Sequence, residues 1–306
     1  MTEGATRCGF IAVIGAPNAG KSTLVNALVG AKVTIVSPKP QTTRMRIRGI
    51  AVEGPAQLVF VDTPGIFSRP RRRLERAMVA AAWEGAADAD LVLLVIDAAA
   101  QKGAGGLDGE TARILPRLKE AGRPLILVLN KVDLVAKPKL LELAARVHAQ
   151  AAFGDTFMLA ALTGDGVADL RRRLAELVPA GPWLYPEDQL ADLPMRLMAA
   201  ETTREQAFLQ LHQELPYALA VETEGWRELR DGSLRVEQVL TVERDSQKPI
   251  LLGKRGAMIK AIRTAAQAEL ARQLGRAVHL FLNVRVRADW VEERSRYRDL
   301  DLTYDV

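Results

Sequence analysis

The 306-residue sequence contains little of what disulfide-bonded, zinc-binding or membrane-spanning proteins require. Its one cysteine, Cys8, excludes a disulfide within the chain and is typical of a reducing compartment. The three histidines, His148, His212 and His279, have no partners at ligand spacing, so we predict no zinc site. Apolar runs fall short of the roughly twenty residues that span a bilayer, and the first residues do not read as a secretory leader. We therefore expect a cytoplasmic protein.

A net excess of positive charge is confined to one segment. Nine Lys or Arg residues and one acid fall between residues 246 and 288, a net charge of +8, whereas the whole chain carries +5 and the remainder therefore −3. A local excess of this kind is typical of a surface that binds a polyanion such as nucleic acid. Peripheral attachment to an anionic membrane is an alternative use of the same surface.

A glycine-rich segment follows the first apolar run. Residues 10–14 predict a strand, and the sequence GAPNAGKST comes next, in the order strand, loop, helix that a phosphate-binding P-loop requires. Glycines let consecutive N–H groups converge on one anion, and the helix adds its positive dipole end. We expect Lys21 to contact the β and γ oxygens and Ser22 to ligate Mg²⁺. The predicted nucleotide contacts here are Gly15, Ala16, Pro17, Asn18, Ala19, Gly20, Lys21, Ser22 and Thr23.

A second strand, predicted at residues 59–61, ends in the tetrapeptide DTPG. Asp62 at the carboxyl end of this strand can hold Mg²⁺ through water. Gly65 can offer its N–H to a γ-phosphate, a contact that exists only in the triphosphate state. Thr63 and Pro64 complete the predicted contacts. Taken alone, DTPG is as typical of an ordinary strand-to-turn segment, but the P-loop favours the nucleotide.

A third strand, predicted at residues 124–129, ends in the tetrapeptide NKVD, which indicates the base. The carboxylate of Asp133 can accept from N1–H and the exocyclic amine of guanine, whereas adenine lacks that amine and has an acceptor at N1. The sequence therefore predicts guanine and rejection of ATP. We expect Lys131 to lie over the base and Asn130 to tie two loops together. Backbone N–H groups at a last strand end are predicted to reach the guanine O6, from Ala160, Ala161 and Leu162.

The loop PQTTR, residues 40–44, lies where a first switch loop belongs. One threonine should complete the Mg²⁺ shell. We favour Thr43, Thr42 is the alternative, and a solvated Thr-Thr loop is a third reading. Lys21, Thr43 and Gly65 form the set predicted to act in catalysis. The cations nearby, Arg44 and the run at 69–73, are more typical of a solvated charge run than of an arginine finger.

The composition changes after residue 178. Pro and Gly cluster in PAGPWLYPED, which predicts a first domain over residues 1–178, a linker over 179–190 and a second domain over 191–306. Apolar strands alternate with helical segments in the first domain, so we predict an α/β fold with a doubly wound, mostly parallel sheet. The second domain predicts an α+β fold, with a helix at 191–213, strands at 217–223 and 233–242, a helix to 274 and a strand at 278–286.

The second half contains the sequence GKRG between apolar helical flanks, which is the GXXG loop of a KH fold. Its glycines permit close approach of a nucleic-acid backbone, and its two cations neutralise phosphates. A helix C-cap glycine followed by a second turn glycine is the alternative. The predicted RNA contacts are Gly253, Lys254, Arg255, Gly256, Ile259 and Lys260. The apolar candidates for a base-reading wall, which are equally candidates for the core, are Ile250, Leu252, Met258 and Ile259.

In order and spacing, these motifs resemble the Era family of bacterial GTPases over nearly the whole chain. The resemblance implies a P-loop GTPase domain followed by a type II KH domain, GTP or GDP with Mg²⁺, GTP hydrolysis and a monomer. It also implies binding of single-stranded RNA near the 3′ end of 16S small-subunit ribosomal RNA, in assembly of the 30S subunit.

The chain departs from the expected pattern at two places. The family usually has Ser-Ala where this chain has Ala160-Ala161, so a serine hydroxyl is missing. Ile66 occupies the position of the glutamine that orients water in Ras-like GTPases, which implies unassisted hydrolysis below about 1 per minute. Asn18 resembles an asparagine that holds K⁺ in related GTPases, and this suggests a monovalent-cation requirement.

Overall fold

The chain folds into two compact units. The computed structural model describes residues 6–67, 70, 72–101, 107–288 and 290–306. Unit 1 comprises Met1–Asp192 together with Arg294–Val306, and unit 2 comprises Leu193–Glu293. Within the described part of the chain, every helix is too short or too polar to cross a membrane.

Unit 1 is built on a seven-stranded sheet in the order β6-β5-β4-β1-β3-β2-β7. Neighbouring strands from β6 to β3 pair in parallel, whereas β2 pairs antiparallel with both β3 and β7. The central strands are continuous apolar runs because helices cover both faces of the sheet. The strands are β1 (Arg7–Ile14), β2 (Ile47–Glu53), β3 (Ala56–Asp62), β4 (Leu91–Asp97), β5 (Leu125–Asn130), β6 (Asp155–Leu159) and β7 (Ala191–Asp192).

Helices lie on both faces of this sheet and create two separate cores. On one face Leu24 and Leu28 of α1 pack with Leu170 and Leu174 of α5, and the other core holds apolar side chains of α2, α3 and α4. The helices are α1 (Lys21–Val29), α2 (Arg73–Asp88), α3 (Gly109–Glu120), α4 (Lys137–His148) and α5 (Val167–Leu177). This arrangement places the loops after β1, β3, β4, β5 and β6 at one edge, where α/β sheets bind ligands.

Unit 2 combines a three-stranded sheet with helices. The strand order is β10-β9-β8, with β8 and β9 antiparallel and β10 parallel to β9. Leu240, Leu251 and Ile262 belong to one apolar core of this unit and Leu270 and Leu280 to a second. The elements are α6 (Met195–Gln210), β8 (Ala220–Glu228), β9 (Leu234–Val242), α7 (Gln247–Leu252), α8 (Ala257–Leu274) and β10 (Val278–Val286).

Several element boundaries in this half differ from the sequence predictions, and the contacts explain two of the differences. The helix predicted from residue 191 begins at Met195, because residues 191 and 192 pair with β2 as β7. The strand predicted from residue 217 begins at Ala220, because the N–H groups of Tyr217 and Ala218 donate to the Glu214 carbonyl in a turn. The strand predicted at 278–286 coincides with β10.

The division into units also differs from the predicted domain limits at the end of the chain. Residues 294–306, which include α9 (Arg294–Asp299), group with unit 1 instead of with the KH half. The Asp301 carboxylate accepts a hydrogen bond from Arg46 at 2.9 Å, and the Arg73 guanidinium lies 4.4 Å from the centre of the Tyr304 ring. These polar and stacking contacts have no periodic pattern from which a sequence could predict them.

Candidate functional site

The loop between β1 and α1 has the backbone geometry that a phosphate-binding loop needs. Asn18 and Gly20 have positive φ angles of 63° and 92°, which turn the chain tightly before the helix begins at Lys21. The Lys21 side chain is buried, and its ammonium donates to the carbonyls of Gly15 and Ala16 at 3.1 and 3.0 Å. Burial lowers the pKa of Lys21 from its usual 10.5 to about 8, although the nearby Asp62 carboxylate opposes this shift.

Three side chains predicted to hold Mg²⁺ converge at the carboxyl end of β3. The hydroxyl oxygens of Ser22 and Thr43 are 2.8 Å apart, and Oδ2 of Asp62 accepts from them at 2.7 and 3.3 Å. The Thr42 hydroxyl is not part of this cluster, because it donates to the Lys39 carbonyl at 2.7 Å. Of the two threonines that the sequence left open, the geometry therefore favours Thr43.

Asp62 itself is fully buried, and one of its carboxylate oxygens has no partner among the described residues. Burial raises the pKa of its carboxyl, against the hydrogen bond from Ser22, the charge of Lys21, and the hydrogen bonds from Thr34 and Thr43. Within the described residues, Oδ1 of Asp62 is buried and makes no hydrogen bond. Hydroxyls and a carboxylate are the oxygen ligands that Mg²⁺ prefers, so these residues fit the ion that the sequence predicts.

Asn130 joins three loops of the site through one buried side chain. Its amide nitrogen donates to the Ala19 carbonyl at 2.9 Å. Its amide oxygen accepts from the backbone N–H groups of Lys131 and Ala161 at 2.9 and 3.0 Å. The P-loop, the NKVD segment and the loop after β6 are thus held at fixed spacing.

Lys131 is fixed by a residue that the sequence analysis missed. Its ammonium donates to the Asn18 carbonyl at 2.9 Å and to the Asp97 carboxylate at 2.6 Å. The other oxygen of Asp97 accepts from the N–H groups of Ala99 and Ala100. Asp97 ends the apolar strand β4, and an acid at a strand end is the same signal that identified Asp62.

The residues predicted to read the base differ in how far their polar groups are already engaged. Asp133 lies in a single 3₁₀ turn, Val132–Leu134, and is exposed. The N–H groups of Ala160 and Ala161 already donate to the Asp165 carbonyl and to Asn130. Leu162 is 86% exposed, so of these three residues it is the one left to offer its N–H to a base.

The DTPG segment contributes backbone more than side chains. The Thr63 hydroxyl donates to the Val13 carbonyl at 2.7 Å and faces the sheet. A Cβ on Gly65 would approach Pro17 to 3.0 Å, so a larger residue would crowd the P-loop. Ile66 is buried in the core beneath α2, and its side chain is therefore unable to orient water. Arg44 is buried as well, so the prediction that it is a solvated cation is wrong, whereas Arg69 and Arg71 lie outside the described residues.

A cavity of about 520 Å³ opens between the P-loop and the loop at residues 35–43. Its volume is in the range of small-molecule sites, roughly 300–1,000 Å³. The predicted site residues that line it, including the alternative threonine Thr42, are Pro17, Asn18, Gly20, Lys21, Ser22, Thr23, Thr42, Thr43, Gly65, Lys131 and Leu162.

The GXXG segment of unit 2 forms an exposed, strained turn between α7 and α8. Gly253, Arg255 and Gly256 all have positive φ, and a Cβ on Gly253 would lie 2.7 Å from that of Met258. Lys254, Arg255 and Lys260 are exposed and form no ion pair with any described residue. Of the apolar candidates, Ile250 is 59% exposed, whereas Met258 and Ile259 pack against the core.

Comparisons with known proteins match both halves of the chain. The family model of the 50S ribosome-binding GTPase covers residues 10–131, and the KH domain model covers residues 214–291. The predicted fold class, a P-loop GTPase domain followed by a KH domain, is confirmed.

Relatives match over nearly the full length. GTPase Era of Afipia carboxidovorans is 60% identical over 98% of this chain and 95% of its own, and GTPase Era of Rhizobium meliloti is 60% identical over 98% and 94%. A single-residue variant of Aquifex aeolicus Era bound to GDP·AlF₄⁻ superposes with a TM-score of 0.90 at 35% identity, covering 98% of this chain and 100% of that structure. Era in complex with MgGDPNP and nucleotides 1506–1542 of 16S ribosomal RNA gives the same values.

Proposed function

The chain belongs to the Era family of GTPases, and we propose that it is a GTP-hydrolysing switch that binds the 3′ end of small-subunit ribosomal RNA through its GXXG loop and acts in assembly of the 30S subunit. The observation that carries the nucleotide part is the convergence of Ser22, Thr43 and Asp62 beside a buried Lys21. The RNA part is supported by the exposed cations of the GXXG loop and by the relative that was solved with 16S ribosomal RNA.

Each part of the site has a physical task in this proposal. Lys21 and the loop N–H groups hold the phosphates, and Ser22 and Thr43 would ligate Mg²⁺, with Asp62 acting through water. When bound, Mg²⁺ neutralises charge on the β and γ oxygens. Gly65 contacts the γ-phosphate and makes its loop sensitive to hydrolysis.

Base selection depends on the NKVD segment. Asp133 is exposed without a ligand, so its two hydrogen bonds to guanine form as the base covers it. An Asp133→Asn variant should exchange guanine for xanthine preference, because an amide offers a donor where guanine also has one. Unchanged GTP affinity in that variant would remove Asp133 from the base site.

Hydrolysis is expected to be slow without a further component. Because Ile66 lies in the core, no glutamine-like group from this position faces the cavity. Asn18 lines the cavity and is our candidate for binding K⁺. GTP hydrolysis should therefore be faster in KCl than in NaCl at equal ionic strength, and equal rates together with an inert Asn18→Ala variant would reject this role.

The RNA-binding proposal is tested by charge reversal at the GXXG loop. The double variant Lys254→Glu/Arg255→Glu leaves both glycines in place, which matters because Gly253 has no room for a side chain. We expect its affinity for the 3′-terminal fragment of 16S RNA to fall at least about tenfold, and affinity of the unchanged protein to fall steeply with salt. Lys137→Glu/Lys139→Glu on α4 makes the same change of net charge at exposed positions of unit 1 and should have little effect.

Two other functional classes give different outcomes. A passive RNA-binding module keeps its cellular function when Lys21→Ala removes nucleotide binding, whereas a switch loses it although RNA binding remains. A protein that attaches peripherally to membranes floats with anionic liposomes, and the GXXG charge reversal then abolishes flotation while RNA binding is unaffected. Either outcome would contradict the proposal.

A further inference from the structure

We propose that Thr34 is a positioning residue of the magnesium site, which holds the Asp62 carboxylate in place from outside the nucleotide cavity. The inference rests on the proposed function, since it concerns how this chain retains Mg²⁺ and nucleotide. Thr34 belongs to no sequence motif recognised above, and its role follows from its contacts alone.

The Thr34 hydroxyl is directed at the carboxylate. Thr34 is 2% exposed, and its Oγ1 donates to Oδ2 of Asp62 at 2.9 Å. This is shorter than the 3.3 Å contact of Thr43 with the same oxygen. Among the described residues, those of this loop that line the cavity begin at Ile35 and do not include Thr34. Thr34 therefore touches the carboxylate without reaching the position of the substrate.

The backbone of Thr34 is anchored to the helix of the P-loop. Asn26 of α1 donates from its amide nitrogen to the Thr34 carbonyl at 2.8 Å. Its amide oxygen accepts from the N–H groups of Val33 and Thr34 at 2.9 and 3.0 Å. Because α1 also carries Ser22, Asn26 fixes the spacing between Thr34 and the first predicted metal ligand.

The three hydroxyls around Asp62 would have different binding partners once Mg²⁺ is bound. Ser22 and Thr43 would turn oxygen lone pairs toward the ion, and Thr43 sits in a loop that responds to the nucleotide. The Thr34 hydroxyl is not among the predicted ligands of the ion, so it can donate to Oδ2 in every nucleotide state. It keeps the carboxylate aimed while the other two contacts change.

Removing such an outer partner of a metal ligand typically weakens metal affinity by about 10- to 100-fold. We expect the lower end, about tenfold, because Asp62 is predicted to reach Mg²⁺ through water. Thr34→Val removes the hydroxyl with little change of shape, Thr34→Ala removes it in a smaller side chain, and Thr34→Ser retains it.

The experiment measures release of a fluorescent GDP analogue over a series of free Mg²⁺ concentrations and in EDTA. For Thr34→Val the Mg²⁺ concentration that half-maximally slows release should rise about tenfold, with Thr34→Ser within about threefold of the unchanged protein. The release rate in EDTA should be equal for the unchanged protein, Thr34→Val and Thr34→Ser. Thermal unfolding without nucleotide checks that the variants fold, and Thr34→Ala takes the place of Thr34→Val if the latter does not.

The outcomes separate this inference from the proposed function. If the unchanged protein releases nucleotide at a rate that Mg²⁺ does not affect, the proposed function fails. If Mg²⁺ slows release but the hydroxyl-free variants have the same midpoint as the unchanged protein, only the role of Thr34 is overturned. Faster release in EDTA also overturns it, because Thr34 would then act on the pocket generally and not through the ion.

Discussion

The contact between Asp97 and Lys131 predicts how firmly the base is held. We consider the substitution Asp97→Asn, which removes the negative charge but keeps an oxygen that can accept from Ala99 and Ala100. The turn after β4 should therefore survive. What changes is the partner of the Lys131 ammonium, which lies 2.6 Å from the carboxylate and also donates to the Asn18 carbonyl.

The magnitude follows from the exposure of the pair. The side chains of Lys131 and Asp97 are 33% and 17% exposed. Exposed ion pairs contribute about 0.2–1 kcal/mol and hydrogen bonds to charged groups about 1.5–3 kcal/mol, so this partly buried pair should contribute about 1–2 kcal/mol. At about 1.4 kcal/mol per factor of ten, GDP affinity should fall about 5- to 30-fold, mostly through faster release.

Stopped-flow release of a fluorescent GDP analogue measures this effect. A matched control is Asp90→Asn. Asp90 directly precedes β4, at the end of the strand opposite Asp97, and its carboxylate accepts from the Phe10 N–H. Its release rate should stay within about twofold of the unchanged protein. A double-mutant cycle with Lys131→Met isolates the pair, because the effect of Asp97→Asn should vanish once the ammonium is gone. An effect that persists in the Lys131→Met background, or release unchanged by Asp97→Asn, would refute the reasoning.

Three further predictions concern the phosphate end of the site. Thr43→Ala should raise the Mg²⁺ concentration needed to retain a GTP analogue about tenfold, whereas Thr42→Ala should stay within about twofold; equal effects in nucleotide-release assays would contradict the geometry. Gly20→Ala should abolish GDP binding in calorimetry, because its Cβ would lie 2.2 Å from the side-chain amide of Asn130. Gly30 also has a positive φ but faces open space, so Gly30→Ala should bind GDP normally. Burial holds the pKa of Lys21 at about 8 in the free protein, whereas bound phosphates favour its charged form. Nucleotide binding near pH 9 should therefore take up protons, and the affinity should weaken as the pH rises. Calorimetry in two buffers of different ionisation enthalpy measures the uptake, and its absence would contradict this prediction.

The sequence predicted those parts of the site whose chemistry is local. The P-loop, DTPG and NKVD segments each follow an apolar strand directly, and parallel strands bring their carboxyl ends to one edge. The confirmed family and fold follow from these segments and the GXXG loop. The sequence could not distinguish Thr42 from Thr43, because adjacent threonines in a loop differ only in where their hydroxyls point.

The parts that the sequence missed depend on contacts between segments far apart along the chain. Asp97 carried a usable signal, an acid at the end of an apolar strand, and could have been included by the rule that selected Asp62. Thr34 and Asn26 carried none, since their hydrogen bonds join a helix to an irregular loop. The grouping of residues 294–306 with unit 1 was equally hidden, because it depends on contacts with Arg46 and Arg73.

Because the Asn130 amide bridges three loops, a guanine nucleotide should bind this site as a bivalent ligand does. GTP is a purine joined to a triphosphate through a ribose. Its affinity depends on whether the distance between the base-binding segment and the P-loop matches the distance between base and phosphates. Asn130 sets that span from inside the protein. If the Asn130 contacts were lost, the NKVD segment could still bind guanosine and the P-loop could still bind pyrophosphate, each with weak affinity. The gain in effective concentration that unites the two captures would be lost.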